Sequence, residues 1–138
     1  MKYLSLDFGT KRIGVATSDS GIVANEYTTL VFDNWPETKQ RILSILALEK
    51  VENLIIGLPK NMDGTDSKYS TYIEDYAASL EQSIAEANLE TKIYLEDERL
   101  TSSEAERQLR EQSCDREEIK KRVDQYAAKL ILEQYLDN

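Results

Sequence analysis

The chain has 138 residues, 41% hydrophobic and 31% charged, with a formal charge of −9 at neutral pH. This composition fits one folded domain, residues 1–138, with a substantial core, and excludes an intrinsically disordered polymer. Histidine is absent, which removes Ser-His-Asp and Cys-His catalysis and the usual histidine zinc sites.

The segment YLSLDFGTKRIGVATSD (3–19) begins as a strand, with Leu4, Leu6 and Phe8 alternating with Tyr3, Ser5 and Asp7. Met1-Lys2-Tyr3 leads straight into it with no signal-peptide core, and no apolar run reaches the roughly 20 residues of a membrane span. The expectation is a cytoplasmic protein with no membrane partner. The pattern predicts strands at about 2–8, 12–18 and 22–32, turned by Gly9-Thr10 and by Ser18-Asp19-Ser20-Gly21. Pro36 opens a predicted helix to about Glu49, whose apolar side carries Ile42, Leu43, Ile45, Leu46 and Leu48. ENLIIGLP (52–59) reads as a short buried strand ended by Gly57 and Pro59.

A polar loop, KNMDGTDSKYS, precedes a helix of about 68–88 marked by Tyr72, Ile73, Tyr76, Leu80 and Ile84. KIYLEDERL (92–100) is the last predicted strand. Thr101, Ser102 or Ser103 caps a helix to about Gln112, and Asp115 with Glu118 forms a capping box for a final helix to about Tyr135. The order β-β-β-α-β-α-β-α-α implies an α/β fold, a mixed five-stranded sheet with helices on both faces.

Charge is uneven. Residues 61–100 hold three basic and ten acidic side chains, whereas Arg116, Lys120, Lys121 and Arg122 cluster near the C-terminus and Lys11-Arg12 follows the first turn. An overall negative chain thus keeps local positive patches for a polyanion. Cys114 is the sole cysteine, which fits a reducing compartment; with no basic neighbour in sequence it reads as an ordinary thiol.

A carboxylate at a strand end, as at Asp7, is costly to desolvate and needs a reason. Glu98 ends the last strand, and parallel strands would carry both acids to one sheet edge, where open α/β sheets place ligands. On the final helix, counting about 100° per residue from Ile119, Asp124 falls near ~140°, at the margin of the apolar stripe beside Ala127 and Ala128. Three such acids repel one another unless cations lie between them, and oxygen ligands without imidazole or thiolate select Mg²⁺ or Mn²⁺. Two ions about 3.5–4 Å apart can activate a water and stabilise the leaving oxygen of a phosphodiester. The ordinary alternative is that Asp7 caps the turn while Glu98 and Asp124 are solvated surface acids.

The segments LDFGTKRIGVATSD (6–19), IIGLPKNMDG (55–64), EDERLTSSEA (96–105) and VDQYAAKLILEQYL (123–136) make the whole chain resemble the YqgF/RuvX family. That resemblance implies an RNase H-like fold related to RuvC-type Holliday junction resolvases. It also implies a metal-dependent nuclease for 5′-end processing of pre-16S rRNA, with a resolvase acting on branched DNA as the alternative. The family's acidic site falls on Asp7, Glu98 and Asp124 as catalytic and metal-holding residues, with Asp97 as the rival to Glu98.

Lys11 and Arg12 stand where they can reach a phosphate beside Asp7, Lys60 and Asn61 where they can touch nucleic acid, and Arg99 where it can hold a carboxylate or a phosphate. Each is otherwise an ordinary surface group. Tyr69, Tyr72 and Tyr76 suggest base stacking, but their spacing fits a packed helix face better. Expected partners are structured RNA or branched DNA, with a ribosomal subunit or protein holding the substrate for so acidic a chain, acting as monomer or homodimer. A non-catalytic ribosome-associated RNA-binding factor is the competing function class. A sugar-kinase or actin-like ATPase, which LDFGT also resembles, lacks here the length and a second glycine-rich motif.

Overall fold

The computed structural model describes residues 1–60, 63, 67–98, 101–112 and 114–138. Its elements are β1 (Tyr3–Phe8), β2 (Arg12–Ser18), β3 (Asn25–Val31), α1 (Trp35–Leu48), β4 (Asn53–Pro59), α2 (Lys68–Glu86), β5 (Lys92–Glu98), α3 (Thr101–Glu111) and α4 (Arg116–Leu136). They form one sheet in the order β3-β2-β1-β4-β5, antiparallel across β3, β2 and β1 and parallel across β1, β4 and β5. The element order matches the expectation from the sequence.

Strand alternation decides which layer each side chain joins. Leu4, Leu6, Phe8, Ile13, Val15, Leu54 and Ile56 point to one face, where Ile42 and Leu46 of α1 and Ile73, Leu80 and Ile84 of α2 cover them. Phe8, Phe32, Trp35 and Tyr76 close one end of this layer as an aromatic cluster, the Trp35 and Tyr76 rings being 4.5 Å apart. The opposite face carries smaller residues. Ala16 and Ile55 meet Ala128, Ile131 and Leu132 of α4, and α3 packs on α4 through Ala105, Leu109, Tyr126 and Ala127. Burial of Ile131 and Leu132 contributes roughly 1.5–3 kcal/mol each.

Two helix starts follow from their caps. Asn34 Oδ1 accepts from the Glu37 amide at 3.0 Å, and Asp115 Oδ1 accepts from the Glu118 amide at 2.8 Å. Helix α2 stops at Glu86 rather than about residue 88, because Asn88 takes a left-handed conformation with φ 57°. Strand β3 starts at Asn25, not near residue 22. Ser20 Oγ accepts from the amides of Ile22 and Val23, Ser18 Oγ accepts from that of Gly21, and Gly21 has φ 78°, so hydrogen bonds that would begin a strand are used in the turn. Among the described residues, no helix is long and apolar enough to cross a membrane.

Candidate active site

Asp7 and Gly14 are cross-strand partners, so they share the face that α4 covers. At Gly14 a β-carbon would lie only 1.9 Å from the Asp124 carbonyl oxygen, so the α4 backbone rests directly on the sheet there. One turn further along α4, Ser5 Oγ donates to the Ala128 carbonyl at 2.7 Å. These two contacts, with Asp7 and Ser5 two residues apart on β1 and Asp124 and Ala128 four apart on α4, run the helix along the strand. Asp124 is thereby held over the end that carries Asp7.

The second flank is also a glycine. Continuing the parallel register past Leu6–Ile56 brings Gly57 level with Asp7, and a β-carbon on Gly57 would sit 2.5 Å from Ile131 Cδ1 and 3.5 Å from Glu98 Cγ. The Glu98 side chain therefore lies over Gly57 on the α4 face. Asp7 and Glu98 are two strands apart, about 12 Å between backbones because Glu98 stands two residues beyond the Gly57–Glu96 pair, and Gly57 puts no side chain beside Asp7. Side-chain alternation sends Asp97 to the other face, where its carboxylate is 3.7 Å from Lys60 Nζ.

The electrostatics follow from this arrangement. Asp7 is half-buried, and its carboxylate has no hydrogen-bond or ion-pair partner among the described residues. Burial, and then the charges of Glu98 and Asp124, push its pKa up to about 7. Asp124 is differently placed. Arg12 Nε donates to its Oδ2 at 2.7 Å, while the Arg12 side chain remains 53% exposed. As the side chains stand, no group of three or more Asp, Glu or Cys residues among the described ones is set to hold a metal ion, and Asp124 is turned to Arg12. The donor set nevertheless fits a hard divalent cation: oxygen only, with one member carrying an unrelieved charge.

The other sequence candidates separate. Lys11 is exposed on the first turn and makes no ion pair among the described residues. Lys60 is tied to β5 by its amide, which donates to the Glu98 carbonyl at 3.0 Å, and its ammonium turns to Asp97. Asn61 and Arg99 lie outside the described residues. Gly9 is needed for close approach rather than torsional freedom: a β-carbon there would be 2.7 Å from the Arg12 carbonyl oxygen.

Tyr76 packs in the aromatic cluster, while Tyr72 is 60% exposed. Tyr69 braces the site turn, its hydroxyl donating to the Gly9 carbonyl at 2.7 Å; burial, Tyr76 and the Asp7 carboxylate hold its phenol above the usual range. Cys114 does have a basic neighbour. Helix α4 brings Arg122 Nη1 to 3.5 Å from Sγ, a contact across eight residues invisible to local sequence, though that guanidinium is also bound to Glu26.

A sheet of this order, with α4 laid across the central strands and acids gathered at their carboxyl end, defines an RNase H-like protein. The solved structures agree: RuvC from T. thermophilus in complex with Holliday junction substrate superposes with a TM-score of 0.57 at 12% identity, covering 99% of this chain and 94% of that one. Fowlpox virus resolvase in complex with substrate Holliday junction DNA gives a TM-score of 0.59 at 12% identity, covering 99% and 97%. The chain belongs to the RuvX family, whose model, described as Holliday junction resolvase, matches residues 1–138. Relatives named "Putative pre-16S rRNA nuclease" include that of Maridesulfovibrio salexigens, 40% identical over 99% of this chain and 98% of its own length. Another, from Shouchella clausii, is 41% identical over 99% and 95%.

Proposed function

We propose that this protein is a divalent-metal-dependent nuclease that hydrolyses phosphodiester bonds at the rim formed by Asp7, Glu98 and Asp124. The observation that carries this reading is Asp7: a half-buried carboxylate without a donor or cation among the described residues, flanked by two glycines and two further acids. A carboxylate left in that condition costs folding energy, which a bound cation offsets. Asp7, Glu98 and Asp124 are the residues that hold Mg²⁺ or Mn²⁺. When bound, such ions polarise a phosphoryl oxygen and acidify a water.

The chain's own groups do the rest. Asp7 lies in a central strand paired on both sides, which fixes its oxygens, and Gly14 and Gly57 leave room beside them. Lys11 on the first turn and Arg12 at the start of β2 hold substrate phosphates, with Lys60, Asn61 and Arg99 as further phosphate-binding candidates. The α4 helix excludes water from the inner side of the rim by packing against Ala16 and Ile55.

The substrate we favour is precursor 16S rRNA, in keeping with the name its relatives carry, and a cytoplasmic setting goes with that substrate. Branched DNA is the second reading, in keeping with the family's description. The charge of −9 argues for a ribosomal subunit or ribosomal protein that presents the RNA, since few cations are available to bind it unaided. One chain of residues 1–138, as a single domain, carries all three acids, so a monomer suffices and a homodimer would hold two sites. The test is cleavage of precursor 16S rRNA and of four-way DNA junctions side by side, with Mg²⁺, Mn²⁺ or EDTA. Metal-dependent RNA cleavage that Asp7→Asn abolishes supports the reading. RNA binding without cleavage, indifferent to Asp7→Asn, identifies a non-catalytic binding factor instead.

A further inference from the structure

Asp124, unlike Asp7, has an ion-pair partner. Arg12, at the first position of β2, reaches across to the middle of α4 and donates from Nε to Asp124 Oδ2 at 2.7 Å. Its two terminal nitrogens have no hydrogen-bond partner among the described residues, and the side chain is 53% exposed, against 22% for Asp124. The pairing joins residues 112 apart in sequence. It leaves Asp7 with no hydrogen-bond or ion-pair partner among the described residues.

We propose that Arg12 is a positioning residue that reserves Asp124, holding its carboxylate until a divalent cation takes it and then offering the released guanidinium to a phosphodiester oxygen. This rests on the nuclease reading above. One carboxylate oxygen cannot give its best geometry to both a guanidinium and a hard cation. A single N–H bond from Nε is also weaker than the two-pronged contact Arg can make with phosphate. The exchange links two events. Cation binding frees Arg12 for substrate, and substrate that captures Arg12 leaves Asp124 open to the cation, so each favours the other by the same factor.

The test is calorimetric titration of Mn²⁺ alone, without nucleic acid, into wild type, Arg12→Gln, Lys121→Gln and Asp7→Asn. Lys121 lies three residues before Asp124 on α4, is exposed and makes no ion pair among the described residues, so its substitution removes a nearby positive charge without breaking a contact. Arg12→Gln is expected to bind Mn²⁺ about tenfold more tightly than wild type, the scale of a charge-assisted hydrogen bond. Lys121→Gln should stay within about twofold, and Asp7→Asn should lose binding. If Arg12→Gln tightens binding no more than Lys121→Gln while Asp7→Asn loses it, the reserve is wrong and the metal site stands. If Asp7→Asn binds Mn²⁺ like wild type, the nuclease reading fails as well.

Discussion

Replacing Asp7 by Asn should stabilise the metal-free protein while destroying its proposed activity. The Asp7 carboxyl is pushed from an ordinary 3.8 to about 7 by burial and by Glu98 and Asp124. Between those two values the folded protein binds more protons than the unfolded chain, so stability falls as pH rises from about 4 to about 7 and levels off above. At 1.36 kcal/mol for each tenfold change, ionised Asp7 costs the fold at most about 4 kcal/mol at pH 8. Asp7 keeps some contact with solvent, and an amide has its own desolvation cost, so the realised gain is about 1–3 kcal/mol. For a chain of 138 residues that is a rise in Tm of about 3–10 °C. The assay is thermal unfolding of both proteins in EDTA at several pH values from about 4 to about 8. The difference should be near zero at the acid end and largest above neutrality. Adding Mn²⁺ should raise the Tm of wild type and leave the variant unmoved. An Asn variant less stable than wild type at pH 8, or a difference independent of pH, would refute the claim that Asp7 carries an unrelieved charge.

Gly14→Ala should cost about 3 kcal/mol or more in chemical denaturation, because its β-carbon meets the Asp124 backbone and α4 must move off the sheet. Ser5→Ala loses a buried hydrogen bond to Ala128 and should cost about 1 kcal/mol, with metal-dependent cleavage retained; a urea midpoint and an activity assay check both. Glu98→Gln should abolish cleavage, whereas Asp97→Asn, on the other sheet face beside Lys60, should leave most of it, as gel-based rates would show. At about pH 6 Asp7 is largely protonated, so Mn²⁺ binding there should displace about one proton, visible as a dependence of the calorimetric heat on the buffer's ionisation enthalpy.

The fold was legible because its strands alternate cleanly and its helices carry wide apolar faces. Leu4, Leu6 and Phe8 point to one layer while Ser5 and Asp7 point to the other, and the register of β1 with β2 follows from that. Local pattern also singled out Asp7, Glu98 and Asp124 as candidates, but not what lies between them. Gly14 gives no sign in the sequence of what it faces, and only the fold sets Asp124 against it. Gly57 reads as the end of a strand, yet it is the gap between Asp7 and Glu98. The Arg12–Asp124 pair was out of reach for the same reason, since 112 residues separate its members. Tyr69 shows the opposite limit: its helical spacing was plain, but the hydroxyl's bond to the Gly9 carbonyl depends on how α2 docks. The start of β3 was misplaced because two serine hydroxyls compete with the strand for its backbone amides.

The account stands on cations binding among Asp7, Glu98 and Asp124. Crystals soaked in Mn²⁺, with anomalous scattering recorded to locate the metal, test this most directly. The expected map has Mn²⁺ within bonding distance of the Asp7 carboxylate and of at least one of the other two acids. Full-occupancy Mn²⁺ elsewhere, with Asp7 still bare in a preparation that cleaves RNA, would contradict it.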